Sequence, residues 1–202
     1  MRNRLREFLI AASRQSRSEM RSSMKIGILA VQGAFAEHEQ MLEQLGAEYI
    51  ELRKGEDVRQ FYDGLILPGG ESTVQGKLMR ELDMFDTIQS QIKNGMPVLA
   101  TCAGAILLAQ QLSNDAATHL ATLPAVVRRN AYGRQLGSFS VDEQIEGIGT
   151  FPMRFIRAPY IEKVLDDTKV LAKVDGNIVM VENKNQFAMS FHPELTLSLI
   201  HI

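Results

Sequence analysis

Three short stretches, residues 25–31 (KIGILAV), 64–67 (GLIL) and 97–101 (PVLAT), are apolar almost residue by residue, and each stops at a turn of glycines or small residues. A strand without polar alternation must be covered on both faces, and a parallel sheet flanked by helices provides that cover. The intervening segments agree. Phe35, His38, Leu42 and Leu45 recur at helical spacing, and Gly46 follows where a helix ends. Residues 48–52 read as a further strand. Asp83 stands where it can cap a helix whose apolar face is Met84, Phe85, Ile88 and Ile92, with Gly95 closing it. Residues 103–111 read as an apolar helix. This βαβαβα order predicts an α/β fold of Rossmann-like or flavodoxin-like type, an open, mostly parallel sheet with helices on both faces. The second half looks more antiparallel. Residues 170–174 and 178–182 flank Asp175-Gly176-Asn177, a hairpin signal, and residues 186–191 form a last strand.

Composition narrows the function classes. The chain has 202 residues and one cysteine, which excludes a disulfide scaffold and a four-cysteine zinc site. Its net charge of −2 argues against a nucleic-acid partner held by bulk charge. No apolar run reaches the ~18 residues of a membrane span, and a cytoplasmic location is expected. The charge is uneven. Residues 1–23 carry six Arg and two Glu, so the remaining chain, with 16 basic and 22 acidic side chains, has a net charge of −6. This basic, serine-rich head reads as a disordered extension or as an organelle transit peptide. Met24, which opens the first strand, is the expected structural start.

Open parallel sheets do their chemistry at the carboxyl ends of strands. Three such ends carry unusual residues. At Thr101-Cys102-Ala103-Gly104, small neighbours flank a lone cysteine on a tight strand-to-helix turn, the layout of a nucleophile elbow. The helix start favours a thiolate, and the Ala103 N–H is placed to face an oxyanion. The structural alternative is a buried cysteine packing as a small hydrophobe. At Phe191-His192-Pro193-Glu194, His192 suits a general base and Glu194 its orienting carboxylate; the alternative is a surface His-Pro turn. His38 on a helix face, His119 in a loop and His201 near the end are poorer candidates. Leu67-Pro68-Gly69-Gly70-Glu71-Ser72-Thr73 has two glycines that let the backbone approach a ligand, although a Gly-Gly pair alone is commonly just a turn.

Taken together, and with Arg128-Arg129-Asn130-Ala131-Tyr132-Gly133-Arg134-Gln135 and Phe155-Ile156-Arg157-Ala158-Pro159, these blocks resemble one family in order and spacing. Residues 24–196 are similar to the glutaminase subunit of the pyridoxal 5′-phosphate (vitamin B6) synthase complex, a class I, triad-type glutamine amidotransferase. The resemblance implies a glutaminase domain over 24–196 that hydrolyses L-glutamine to glutamate and ammonia and passes the ammonia to a (β/α)₈-barrel synthase subunit. It also implies a triad of Cys102, His192 and Glu194. Glutamine binding would fall to Gly70, Glu71, Ser72, Arg129, Ile156 and Arg157, and oxyanion donors to Gly70 and Ala103. No metal or organic cofactor is needed for this chemistry. A guanidinium suits the substrate carboxylate, so Arg129 and Arg157 are sensible types, although either alone reads more readily as a solvated surface charge. Two other readings stay open: a cysteine-dependent peptidase or thiol hydrolase, and a non-enzymatic interaction subunit with an idle triad.

The chain departs from the family pattern at its basic head, at Ala100 and Ala121, where glycine is common, and after Thr196. The family continues there into a helix, whereas residues 197–202 read as an atypical, truncated end. Loss of that helix would expose an apolar sheet face near the triad.

Overall fold

Strand β1 (Lys25–Leu29) is buried at its last four positions, and it pairs in parallel with β2 (Glu48–Leu52) on one side and β3 (Gly64–Leu67) on the other. The structure is a computed structural model that describes residues 24–131 and 137–196. The basic head, the segment 132–136 and the atypical tail 197–202 lie outside the described residues. Beyond β3 come β4 (Val98–Thr101), parallel to β3, and β12 (Gln186–Met189), parallel to β4. The sheet then turns antiparallel through β11 (Asn177–Asn183), β9 (Tyr160–Val164) and β6 (Leu123–Arg128). Its far edge is β5 (Ala109–Leu112), parallel to β6, and β10 (Lys169–Val174) pairs with β11 off the main path.

Alternate residues of the central strands feed two cores. Leu65, Leu67, Val98 and Ala100 point to one face, against Met79 of α2 (Ser72–Glu81) and Ile88 and Ile92 of α3 (Phe85–Lys93). Ile26, Ile28, Ile66 and Leu99 point to the other, against Leu42 of α1 (Phe35–Leu45). The parallel sheet with helices on both faces is therefore as expected. The second face has an additional cover, the antiparallel pair β7 (Ser138–Ile145) and β8 (Gly149–Ile156), which the sequence pattern did not single out. Its inward residues Phe151, Met153 and Phe155 belong to the second core.

Local signals held in several places. Gly46 ends α1 in the left-handed conformation, and β10 and β11 meet through Asp175 and Gly176, both with positive φ, as a two-residue hairpin turn of this type requires. Two expectations are corrected. The helix expected over 103–111 is only α4 (Ala103–Leu108), because 109–112 leave it to pair with β6; strand pairing at the sheet edge outweighs local helix propensity. Asp83 does not cap α3. It turns between α2 and α3 at φ 56°, its carboxylate engages Arg59, and the cap position falls to Met84 with no side-chain bond. Ala121 sits at φ 52°, which explains physically why glycine suits that position. No helix among the described residues is long and apolar enough to cross a membrane.

Candidate active site

Strand β4 ends at Thr101 and α4 starts at Ala103, so the entire reversal falls on Cys102, at φ 49° and ψ −102°. Such a backbone costs a residue with a β-carbon about 1–3 kcal/mol and persists only where its surroundings enforce it. Here the Cys102 N–H donates to the Met189 carbonyl at 2.8 Å, and the Cys102 carbonyl accepts from Ala105 at 3.1 Å. The helix start can come this close to β3 only because residue 104 is glycine: a β-carbon there would stand 2.1 Å from the Leu67 carbonyl oxygen. The Cys102 thiol is buried, 3.9 Å from the Ile156 carbonyl.

His192 follows Phe191, whose buried ring meets Phe155 edge-on at 5.8 Å and Phe151 at 6.0 Å. The hairpin β7–β8 thus sets where β12 ends. The His192 N–H also donates to the Arg154 carbonyl at 2.8 Å. A single 3-10 turn, Pro193–Leu195, brings Glu194 back so that its Oε1 lies 2.7 Å from His192 Nδ1. That bond leaves Nε2 free to serve Cys102, whose sulfur favours the charged form of the ring. Burial opposes charging the imidazole, but the Cys102 sulfur and the Glu194 carboxylate outweigh it and push the His192 pKa up to about 10. Burial likewise opposes ionising Glu194, yet His38 and His192 hold its carboxyl below the usual range.

The turn after β3 closes over this group. The Gly69 N–H donates to Thr101 Oγ1 at 3.1 Å, and the Gly69 carbonyl accepts the Ala34 N–H at 2.9 Å. The Glu71 N–H donates to Gln32 Oε1 at 2.8 Å. Gly70 and Glu71 are exposed, while Ser72, the first residue of α2, has a buried Oγ with no hydrogen-bond partner among the described residues. Ile156, at the end of β8, turns its carbonyl to Cys102 and leaves its side chain 38% exposed, and Arg157 follows at φ 44°. Arg129 is paired: its Nη1 lies 2.5 Å from Asp115 Oδ2, and its backbone N–H and carbonyl both bond the Asn114 side chain. Residues 132–135 of the Arg128–Gln135 motif lie outside the described residues.

Cys102, His192 and Glu194 are thus brought together, with Gly69 and the Ile156 backbone beside them. Other members of the constellation were not evident from sequence. His38, set aside there as a helix-face residue, is buried with Nε2 3.3 Å from Thr101 Oγ1 and 3.6 Å from Glu194 Oε2. The available signal was its place on the apolar stripe of α1, four residues before Leu42, where a polar ring needs a partner. Gln32 and Asp115 gave no signal beyond proximity in sequence to turns.

The chain is similar over most of its length to several known proteins. A pyridoxal 5′-phosphate synthase subunit PdxT of Desulfitobacterium hafniense (strain DSM 10664 / DCB-2) is 63% identical over 172 residues, 85% of this chain and 86% of that protein. The PdxT of Streptococcus pneumoniae (strain CGSP14) is 53% identical over 176 residues, covering 86% and 91% of the two chains. A crystal structure of a glutamine amidotransferase superposes with a TM-score of 0.81 at 42% identity, over 87% of this chain and 94% of that one. The family model described as the SNO glutamine amidotransferase family matches residues 28–202. With an elbow cysteine, a carboxylate-held histidine and this extent of likeness, the chain belongs to the SNO glutamine amidotransferase family.

Proposed function

We propose that this chain hydrolyses L-glutamine to L-glutamate and ammonia, and that it is the glutaminase subunit of a pyridoxal 5′-phosphate synthase, handing its ammonia to a synthase barrel subunit. One arrangement carries the reading: a histidine bound at 2.7 Å to Glu194 and a cysteine on a strained strand-to-helix turn both lie against Gly69. The relatives named as pyridoxal 5′-phosphate synthase subunits favour the pathway assignment.

In the reaction, the Cys102 sulfur, as thiolate, attacks the side-chain amide carbon of glutamine. The carbonyl π-electrons move to oxygen, and the oxyanion takes hydrogen bonds from the Ala103 and Gly70 N–H groups. The tetrahedral intermediate collapses, the C–N bond breaks, and the His192 imidazolium gives its proton to the leaving nitrogen, releasing ammonia and a thioester on Cys102. Neutral His192 then takes a proton from water as the oxygen attacks the thioester carbon. The C–S bond breaks, glutamate leaves, and the thiolate–imidazolium pair is restored. Glu194 keeps Nδ1 as the protonated nitrogen throughout.

For binding, Arg129 and Arg157 are assigned to the α-carboxylate, with Glu71 and Ser72 on the polar head and the Ile156 backbone lining the reacting end. The unpartnered, buried Ser72 hydroxyl is consistent with a hydrogen bond to substrate. The test is glutamate release by the chain together with its synthase subunit. Cys102→Ala should retain the fold and abolish release; turnover within about tenfold of the parent would reject the cysteine mechanism.

A further inference from the structure

The mechanism above uses one oxygen of Glu194. The other, Oε2, is buried and has no hydrogen bond within ordinary range among the described residues. A buried carboxylate oxygen without a donor is costly. The cation or donor facing it is His38 Nε2, at 3.6 Å. His38 comes from α1 and is itself buried. Its Nε2 also lies 3.3 Å from Thr101 Oγ1, the same hydroxyl oxygen that accepts the Gly69 N–H at 3.1 Å.

We infer that His38 is a positioning residue of this active site: its Nε2–H, shared between Glu194 Oε2 and Thr101 Oγ1, ties the triad carboxylate to the Gly69 turn. This inference rests on the glutaminase reading above. The tautomer follows from the surroundings. An Nε2 lone pair aimed at an ionised carboxylate oxygen would be repelled, whereas an Nε2–H is attracted to both oxygens. Burial lowers the His38 pKa, with Glu194 and Glu37 opposing and His192 reinforcing that shift; in the imidazolium and in this neutral tautomer alike, Nε2 carries the proton and donates.

The consequence is rotational. A carboxylate held by one oxygen turns about its Cβ–Cγ and Cγ–Cδ bonds, and Oε1 then wanders from His192 Nδ1. Holding Oε2 from the opposite side leaves Oε1 aimed at Nδ1. The same donor reaches Thr101, so the peptide at Gly69 and the carboxylate at Glu194 are referenced to one ring.

The experiment compares His38→Leu and His38→Gln in the full chain assembled with the synthase subunit. His38→Gln places an amide N–H at nearly the reach of imidazole Nε2. His38→Leu should lower kcat by about 10- to 100-fold with little change in KM, and His38→Gln should recover most of that loss. A second readout does not depend on turnover. The His192 Nδ1–H proton, assigned by its disappearance in His192→Asn, should be a downfield proton resonance in the parent. It should shift upfield or broaden in His38→Leu and return in His38→Gln. Thermal unfolding of each variant controls for folding, and Thr101→Val, which removes the shared oxygen without changing shape, stands in if His38→Leu does not fold; it should show a reduced kcat. An unchanged kcat and resonance in folded His38→Leu, or in Thr101→Val in its place, would overturn the inference. So would a His38→Gln variant as impaired as His38→Leu. A parent without glutaminase activity would instead reject the glutaminase reading, and the resonance comparison would still decide the role of His38.

Discussion

Gly69 lies so close to His192 that a β-carbon built on it would stand 2.4 Å from the ring's Cε1 and 3.4 Å from Cys102 Cβ. The turn after β3 therefore forms one wall against the His192 ring, and that wall has room for hydrogen alone. Gly69→Ala must push either the turn or His192 by about 1 Å. We expect a loss of about 100-fold in kcat/KM with the fold retained, measured by glutamate release beside a circular dichroism melt. Activity near that of the parent would mean that the turn yields freely and does not position the ring.

Ala121 is strained at φ 52°, a region where a β-carbon costs about 1–2 kcal/mol. Ala121→Gly removes that strain while adding freedom to the unfolded chain, which offsets part of the gain. A net stabilisation of about 0.5–1 kcal/mol is expected from denaturant unfolding. A destabilised variant would place the residue's value in side-chain packing instead.

The raised His192 pKa has a consequence for stability. The group's ordinary value is 6.5 and its folded value about 10, so its charge stabilises the fold fully below about 6.5 and this contribution is lost as pH rises toward 10. The Cys102 sulfur and the Glu194 carboxylate hold the charge, so Cys102→Ala and Glu194→Gln should each narrow that window. Melting temperatures taken across this range should fall less steeply in both variants than in the parent. Parallel curves for all three would show that His192 is not charged by these partners.

Arg129 and Arg157 are assigned to the substrate carboxylate, and a lysine in either place keeps the charge while losing the planar fork. Each Arg→Lys variant should raise KM for glutamine by about 10-fold with a smaller effect on kcat. Arg129→Lys also loosens the contact to Asp115, so Asp115→Asn is the matching control. If neither arginine variant changes KM, the carboxylate is bound elsewhere, and Glu71 and Ser72 become the next positions to replace.

The Gly69 carbonyl is engaged by the Ala34 N–H at 2.9 Å, so rotating the Gly69–Gly70 peptide to exchange its carbonyl and N–H directions breaks a defined bond. A partner that contacts only one of the two orientations selects it. The isolated chain should therefore release glutamate slowly, and titrating in the synthase subunit at fixed salt should raise the rate by about tenfold or more. Full activity without a partner would remove this form of control.

Much of this molecule is legible in one dimension. The runs at 25–31, 64–67 and 97–101 mark buried parallel strands because a strand covered on both faces has no polar alternation to conceal it. Gly46 and the Asp175-Gly176 turn are equally local, since the left-handed backbone they adopt is a property of those residues alone. The cysteine elbow is legible for the same reason: small residues are needed where α4 meets Leu67, and they are adjacent in the chain.

What the tertiary structure alone decided involves residues far apart in sequence. The end of the helix at Leu108 depends on β6 pairing with 109–112, and Asp83 was drawn from its cap toward Arg59, a choice that local preference cannot foresee. The hairpin β7–β8, which seats Phe191 and so His192, covers a sheet face that helices were expected to cover. The contacts of His38 with Glu194 and with Thr101, and of Thr101 with Gly69, join four segments. A side chain's type states what bonds it is able to make; only the packing of distant segments settles which bonds a buried group, cut off from water, must make.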